Sequence, residues 1–279
     1  MQPHSECRVH RQIVQIGCYW GTGGHTELYL LEGDTLAIVD TGVSTSPAEY
    51  IVPALDRYGL RLADLDIILN THGHHDHAGG NALVVAASGA TVCVHQDDVR
   101  VVEDPDYQFD RYFRQVDELV GRADRLPGSR AQLVASAGAP VKVDRALRDG
   151  EMIDLGRGLR LRVVSLPGHT DGSVGYFWED EGVILTGDSA LGMGSRPGGF
   201  PLIYDASAYE ASLAKLEALA PRVIGLGHHY RTATAPADSM HFGPAVATFL
   251  RGCLEGANLI RESLARAMAA RPGATFLET

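Results

Sequence analysis

The run Thr71-His-Gly-His-His-Asp-His-Ala-Gly-Gly80, which directly follows the apolar segment Ile67-Ile-Leu, restricts the fold of this chain more than any other feature. Imidazoles and a carboxylate crowded this closely repel one another when charged and are costly to bury unpaired, so they do not belong to an ordinary core. An apolar segment that ends in such a run reads as a buried strand delivering side chains to a loop at a sheet edge. Imidazole and carboxylate are ligands that suit zinc, and also iron or manganese. His72, His74, Asp76 and His77 are the candidate metal ligands of this run.

Seven of the twelve histidines lie at 72–77, 169 and 228–229, so the histidine content is concentrated rather than dispersed. His169 stands in Leu166-Pro-Gly-His-Thr170, Asp188 in Leu185-Thr-Gly-Asp188 and His228 in Leu226-Gly-His-His229, each after an apolar run. Alone, each would read as a turn or a satisfied structural residue. Together they supply what a two-metal centre still needs.

Short β-rich runs recur at Leu36–Asp40, Ile67–Asn70, Thr91–His95, Arg160–Ser165, Val183–Thr186 and Val223–Leu226, several ending in Asp, Asn or His. Helices fall between them. Ser46-Pro-Ala-Glu49 offers a cap, a proline at the first helical position and a reach-back Glu before Ile51, Leu55 and Tyr58, with Gly59 as the stop. Ser207-Ala-Tyr-Glu210 repeats that start before Leu213 and Leu216, and Pro221 ends it. This interleaving implies an α/β sandwich. The segment from about 96 to 140 is charged, carries Tyr107, Phe109, Tyr112 and Phe113, and has helical spacing, which implies a helical insertion that either packs or covers the site. A last amphipathic helix is expected at about 244–270, with Val246, Phe249, Cys253, Ala257, Ile260 and Leu264 on one face. Nothing forces a second domain, so residues 1–279 read as one.

Charge narrows the partners. With 35 acidic residues against 24 Lys and Arg, the net charge of −11 repels phosphate backbones and anionic lipid surfaces. The first ten residues contain no apolar core of a signal peptide, and no stretch is long enough to span a bilayer. Cys7, Cys18, Cys93 and Cys253 show no Cys-x-x-Cys spacing and read as ordinary thiols of a reducing compartment. A cytoplasmic protein with a small-molecule substrate is expected, without nucleic acid or membrane, and with a homodimer left open.

The H-x-H-x-D-H motif at His72 to His77, the later His169, Asp188 and His228, and the early Val39-Asp-Thr-Gly42 resemble the metallo-β-lactamase superfamily of binuclear metallohydrolases over about residues 28 to 232. The resemblance implies a four-layer αββα sandwich with two divalent metal ions at one edge, zinc first, iron or manganese as alternatives. It implies His72, His74 and His169 on the first ion, Asp76, His77 and His228 on the second, and Asp188 bridging both. His75 occupies the variable position, and His229 competes with His228. Two ions roughly 3.5–4 Å apart would generate a bridging hydroxide that attacks a polarised carbonyl, with Asp76 as the catalytic residue that holds it and passes a proton. Asp40 would orient a ligand histidine.

Within the superfamily, Asp188 stands where β-lactamases themselves usually have Cys or Ser, which counts against β-lactam hydrolysis. The run Thr71–Asn81 resembles glyoxalase II and the acyl-homoserine lactonases. Leu191 replaces the Tyr usual in lactonases, and the C-terminal arginines are too dispersed for the basic glutathione site of glyoxalase II. The expected activity is hydrolysis of a carboxylic ester, thioester or lactone; the alternatives are a β-lactam hydrolase or a di-iron redox enzyme of the same fold. Tyr204, Met193 and Phe200 are candidates to line an acyl pocket, and His25, in the glycine-rich Gly21–Thr26 turn, could reach the site.

Overall fold

A computed structural model describes residues 6–270, apart from 22, 120, 122 and 196–200. The apolar runs become two sheets laid face to face. The first keeps chain order: β1 (Glu6–His10), β2 (Ile13–Trp20), β3 (Gly24–Glu32), β4 (Leu36–Val39), β5 (Ile67–Leu69), β6 (Thr91–His95) and β7 (Arg145–Leu147). The second has the order β13, β12, β11, β10, β9, β8, formed by β8 (Met152–Asp154), β9 (Arg160–Ser165), β10 (Val174–Trp178), β11 (Val183–Leu185), β12 (Val223–Tyr230) and β13 (Asp238–Phe242).

Alternation along the strands explains why the sheets stack. Successive side chains point to opposite faces, so Tyr29, Leu31, Val39 and Leu69 enter the central layer with Leu161, Val163, Tyr176 and Leu185 of the other sheet. Their neighbours Leu28, Leu30, Ile38 and Ile68 point outward under helices that include Val52–Arg57 and Asn81–Ser88. On the far side, Val164, Phe177, Ile184 and Ile224 pack under Ala206–Leu219 and Pro244–Ala270. Strands buried on both faces need apolar residues at every position, which is why these segments read as continuous rather than alternating runs. The result is the expected αββα sandwich. No helix among the described residues is long and apolar enough to cross a membrane.

Local signals were displaced in three places. The first helix begins at Pro47 as expected, but Ser46 makes no cap bond; its Oγ accepts from the backbone N of Val43 instead. The later helix starts at Ala206, capped by Asp205, whose carboxylate accepts from Ala208 N at 2.9 Å, so Ser207 lies inside it. The last helix buries Val246, Phe249, Cys253 and Ala257, while Leu264 is exposed because the helix continues past the sheet it covers.

Between β6 and β7 the chain is helical, from Gln96–Asp98 to Leu126–Ala137. β4 to β7 run parallel, as do β11 and β12. The carboxyl ends of β4, β5 and β11 therefore open on one edge of the sandwich, the place where open α/β sheets hold ligands.

Candidate metal centre

At that edge the structure brings together all seven residues singled out in the sequence. Their donor atoms fall into three overlapping groups, His72 with His74 and His169, His72 with His77 and Asp188, and Asp76 with His77 and His228, each within 4.8 Å. Asp188 lies between the first and last groups: its carboxylate oxygens are 3.6 Å from His169 Nε2, 3.4 Å from His77 Nε2 and 3.3 Å from His228 Nε2.

The orientation of the rings follows from their outer nitrogens. A carbonyl or carboxylate can only accept, so His169 donates from Nδ1 to Leu202 O at 2.7 Å and His77 donates from Nδ1 to Asp40 Oδ2 at 2.8 Å. His228 donates from Nδ1 to the carbonyl of His25. Thr71 spends its one hydroxyl proton on Asp40, at 2.7 Å, and so accepts from His72 Nδ1 at 3.1 Å. All four rings therefore carry a proton on Nδ1 and turn Nε2 inward, the orientation a metal ligand needs. The Nε2 atoms of His72, His74 and His169 and Oδ1 of Asp188 are buried and have no hydrogen-bond partner. Orphaned buried polar atoms are rare in native proteins. The three nitrogens lie within 4.8 Å of one another, a set that fits a metal ion, and Asp188 stands beside them with His72 and His77.

Backbone geometry holds this arrangement. Asp40 adopts φ 60°, an uncommon conformation for a residue with a Cβ, and is held there by accepting from Thr71 N, Thr71 Oγ1 and His77 Nδ1. Gly227 precedes His228 because a Cβ there would stand 2.4 Å from Asp188 Oδ1. Asp98, which the sequence did not flag, is fully buried and accepts from Gly73 N, Thr170 Oγ1 and Gly172 N, tying the His72–His74 segment to the loop that carries His169. Burial pushes its carboxyl up to about 6.

Electrostatics separate the two ends of the site. Burial, followed by repulsion from neighbouring imidazoles, drives His72 and His74 well below the usual histidine range. Burial opposes protonation of His77 and His228 as well, but the neighbouring carboxylates together overcome it and raise both, Asp188 with Asp40 and Asp76 at His77 and Asp188 with Asp76 at His228. Asp76 is held well below the carboxylate range because His77 and His228 overcome its burial.

A cleft of about 520 Å³ opens over these groups. Trp20, Phe113, Leu191 and Leu202 form its apolar wall, and His25, His229 and Tyr230 its polar one. Of the insertion's aromatics, Phe113 reaches the wall and Tyr112 backs His74 at 4.9 Å, whereas Phe109 is core and Tyr107 lies under Arg100. Met193 packs towards Gly256 rather than the cleft, Tyr204 stands behind His74 at 6.4 Å, and Phe200 lies outside the described residues. His75 faces Trp20 and Phe113 and enters none of the donor groups. His229 turns away from Asp188 to Glu27, and His25 belongs to β3 rather than to the turn before it.

The sequence profile of the Metallo-beta-lactamase superfamily matches residues 21–228. The chain belongs to this superfamily. A hydroxyacylglutathione hydrolase of Methylococcus capsulatus is 31% identical over 196 residues, 69% of this chain and 58% of that protein, so the chain spans little more than half the length of that relative. The crystal structure of a metallo-beta-lactamase family protein from Thermus thermophilus superposes with a TM-score of 0.71 at 25% identity, covering 95% of this chain and 85% of the other. A class B3 di-zinc metallo-beta-lactamase from an Alaskan soil metagenome shares the fold, with a TM-score of 0.62 at 20% identity over 95% and 94% of the two chains.

Proposed function

We propose that the chain is a binuclear metal-dependent hydrolase of carboxylic thioesters and related esters or lactones. The observation that carries this is the convergence of His72, His74, Asp76, His77, His169, Asp188 and His228, with the buried Nε2 atoms of His72, His74 and His169 left without a hydrogen-bond partner. His72, His74 and His169 would hold one ion, Asp76, His77 and His228 the other, and Asp188 both. Zinc fits this nitrogen-rich set best, and the di-zinc neighbour of the same fold agrees with it. Two divalent ions supply, when bound, a water ionised near neutral pH and a Lewis acid for the carbonyl.

The chain's own side chains do the rest. Asp76 is the candidate catalytic residue: its carboxylate is open to the cleft and stays ionised, so it can take a proton from the attacking water and return it to the leaving sulfur or oxygen. Trp20, Phe113, Leu191 and Leu202 offer the acyl group an apolar wall that excludes water from the reacting carbonyl. The helices between β6 and β7 contribute Phe113 to that wall, which favours a covering role for the insertion. Thioesters come first because the curated relatives include hydroxyacylglutathione hydrolases.

The test is turnover by zinc- and manganese-loaded protein of acyl-glutathione and acyl-CoA thioesters, lactones, an aryl ester and a cephalosporin. Chelator-sensitive hydrolysis of a thioester ahead of the cephalosporin is expected. Preference for the cephalosporin, or no hydrolysis with both ions bound, would overturn the reading.

A further inference from the structure

Beside the seven donors, a separate cluster stands on the rim of the same cleft. His25 on β3 and His229 on β12 both bring Nε2 to 3.0 Å from one oxygen of Glu27, and the two rings lie 4.2 Å apart at 44°. Glu27 is 4% exposed, whereas the His229 side chain is 44% exposed, so the cluster has a buried carboxylate floor and an open side. None of the three belongs to the binuclear set.

We propose that His25, Glu27 and His229 form a third divalent-cation site. Three observations carry it. His25 Nε2 is buried and makes no hydrogen bond although Glu27 Oε1 is near, the same signature as the Nε2 atoms of His72, His74 and His169. A nitrogen that stands close to an oxygen without pointing at it points at something beside it, and a bound cation is such a point. The spacing also fits: with metal–ligand bonds of about 2.1 Å, ligands at right angles lie about 3.0 Å apart, against about 3.4 Å at a tetrahedral angle. Both nitrogen-to-oxygen separations are those of the right-angled case, and the His229 contact is also the length of a hydrogen bond, which the ion would replace. Two imidazoles and one carboxylate on one face leave open positions for water or substrate, an arrangement that first-row divalent ions accept.

The site is also built into the binuclear edge. The carbonyl of His25 accepts from His228 Nδ1, and His229 follows His228 on β12. An ion on the rim would face the mouth of the cleft, where an anionic group of a substrate could reach it.

The experiment is equilibrium dialysis of the full chain against cobalt(II), with metal counted per protein for the wild type, His229→Ala and Glu27→Gln. His229 is partly exposed and Glu27→Gln keeps its shape, so the two variants fail independently if folding is at fault. The expected result is the loss of one equivalent in each variant, with the corresponding visible absorption bands. Equal counts in wild type and both variants, as a hydrogen-bonded His–Glu–His cluster would give, overturn the proposal. His72→Ala is measured in parallel: it reports on the binuclear centre alone, so a failure of that centre and a failure of the rim site give different patterns.

Discussion

The two donor groups under the cleft each take two residues from the 72–77 run and one histidine from elsewhere, His169 or His228, yet differ in charge and support. His72, His74 and His169 are deeply buried, neutral and carry no carboxylate of their own; Asp76, His77 and His228 sit where Asp40 and Asp188 add negative charge, and both groups reach the cleft, through His74 and His169 on one side and Asp76 and His228 on the other. One pocket would select its ion by imidazole geometry, the other by charge. On the proposed reading, the contrast would let a single sheet edge treat two ions differently, one held by neutral imidazoles and one by charge, with Asp188 as the shared element.

Asp188→Ala removes the carboxylate placed between both pockets, so both ions and at least about 10³-fold in turnover are expected to be lost, read by metal analysis and kcat. A variant that keeps both ions and its activity breaks the comparison outright. Asp40→Asn is milder and uneven. It removes the charged acceptor of His77 Nδ1, so affinity at the second pocket should fall about 10–100-fold, and the first, which Asp40 reaches only through Thr71 and His72, should fall less. Equal loss in both pockets would show that Asp40 acts through the fold rather than through His77.

Acidification sharpens the same contrast. In the metal-free protein the carboxylates of Asp188, Asp40 and Asp76 raise His77, and those of Asp188 and Asp76 raise His228, so protons compete with metal for the second pocket more than for the first, where burial holds His72 and His74 well below the usual histidine range. Metal titrations from pH 6 to 8 should therefore show the second ion binding more tightly as pH rises and the first changing little. Identical slopes would contradict the assignment of charge. The smallest effect is expected from Phe113→Ala, which should lower kcat/KM by about tenfold for long acyl chains and leave acetyl substrates nearly unchanged, because it removes apolar wall and touches no donor.

The donors were legible in the sequence because they are dense and follow apolar strands, a combination with few structural uses. The sheet edge was legible too: β4, β5, β6, β9, β11 and β12 start where the runs start. Much of the rest depends on contacts far apart in sequence. β2 and β3 form a long hairpin whose glycines at 21, 23 and 24 read as a turn, so His25 was expected there, whereas pairing with Tyr19 draws it into β3. Ser46 and Ser207 carry cap residue types, but Val43 N and Asp205 win the local competition for hydrogen bonds. Asp98 and Glu27 carried no local signal at all. An aspartate in Gln96-Asp-Asp98 reads as a solvated helix start, and only the folded chain brings Gly73, Thr170 and Gly172 to it.

The central claim is that two pockets share Asp188. An anomalous difference map from zinc-loaded crystals tests it most directly. The account expects one peak at about 2.0–2.2 Å from His72, His74 and His169, a second at that distance from Asp76, His77 and His228, and Asp188 bonded to both. A single peak between the groups, or two peaks with Asp188 bonded to only one, would contradict it.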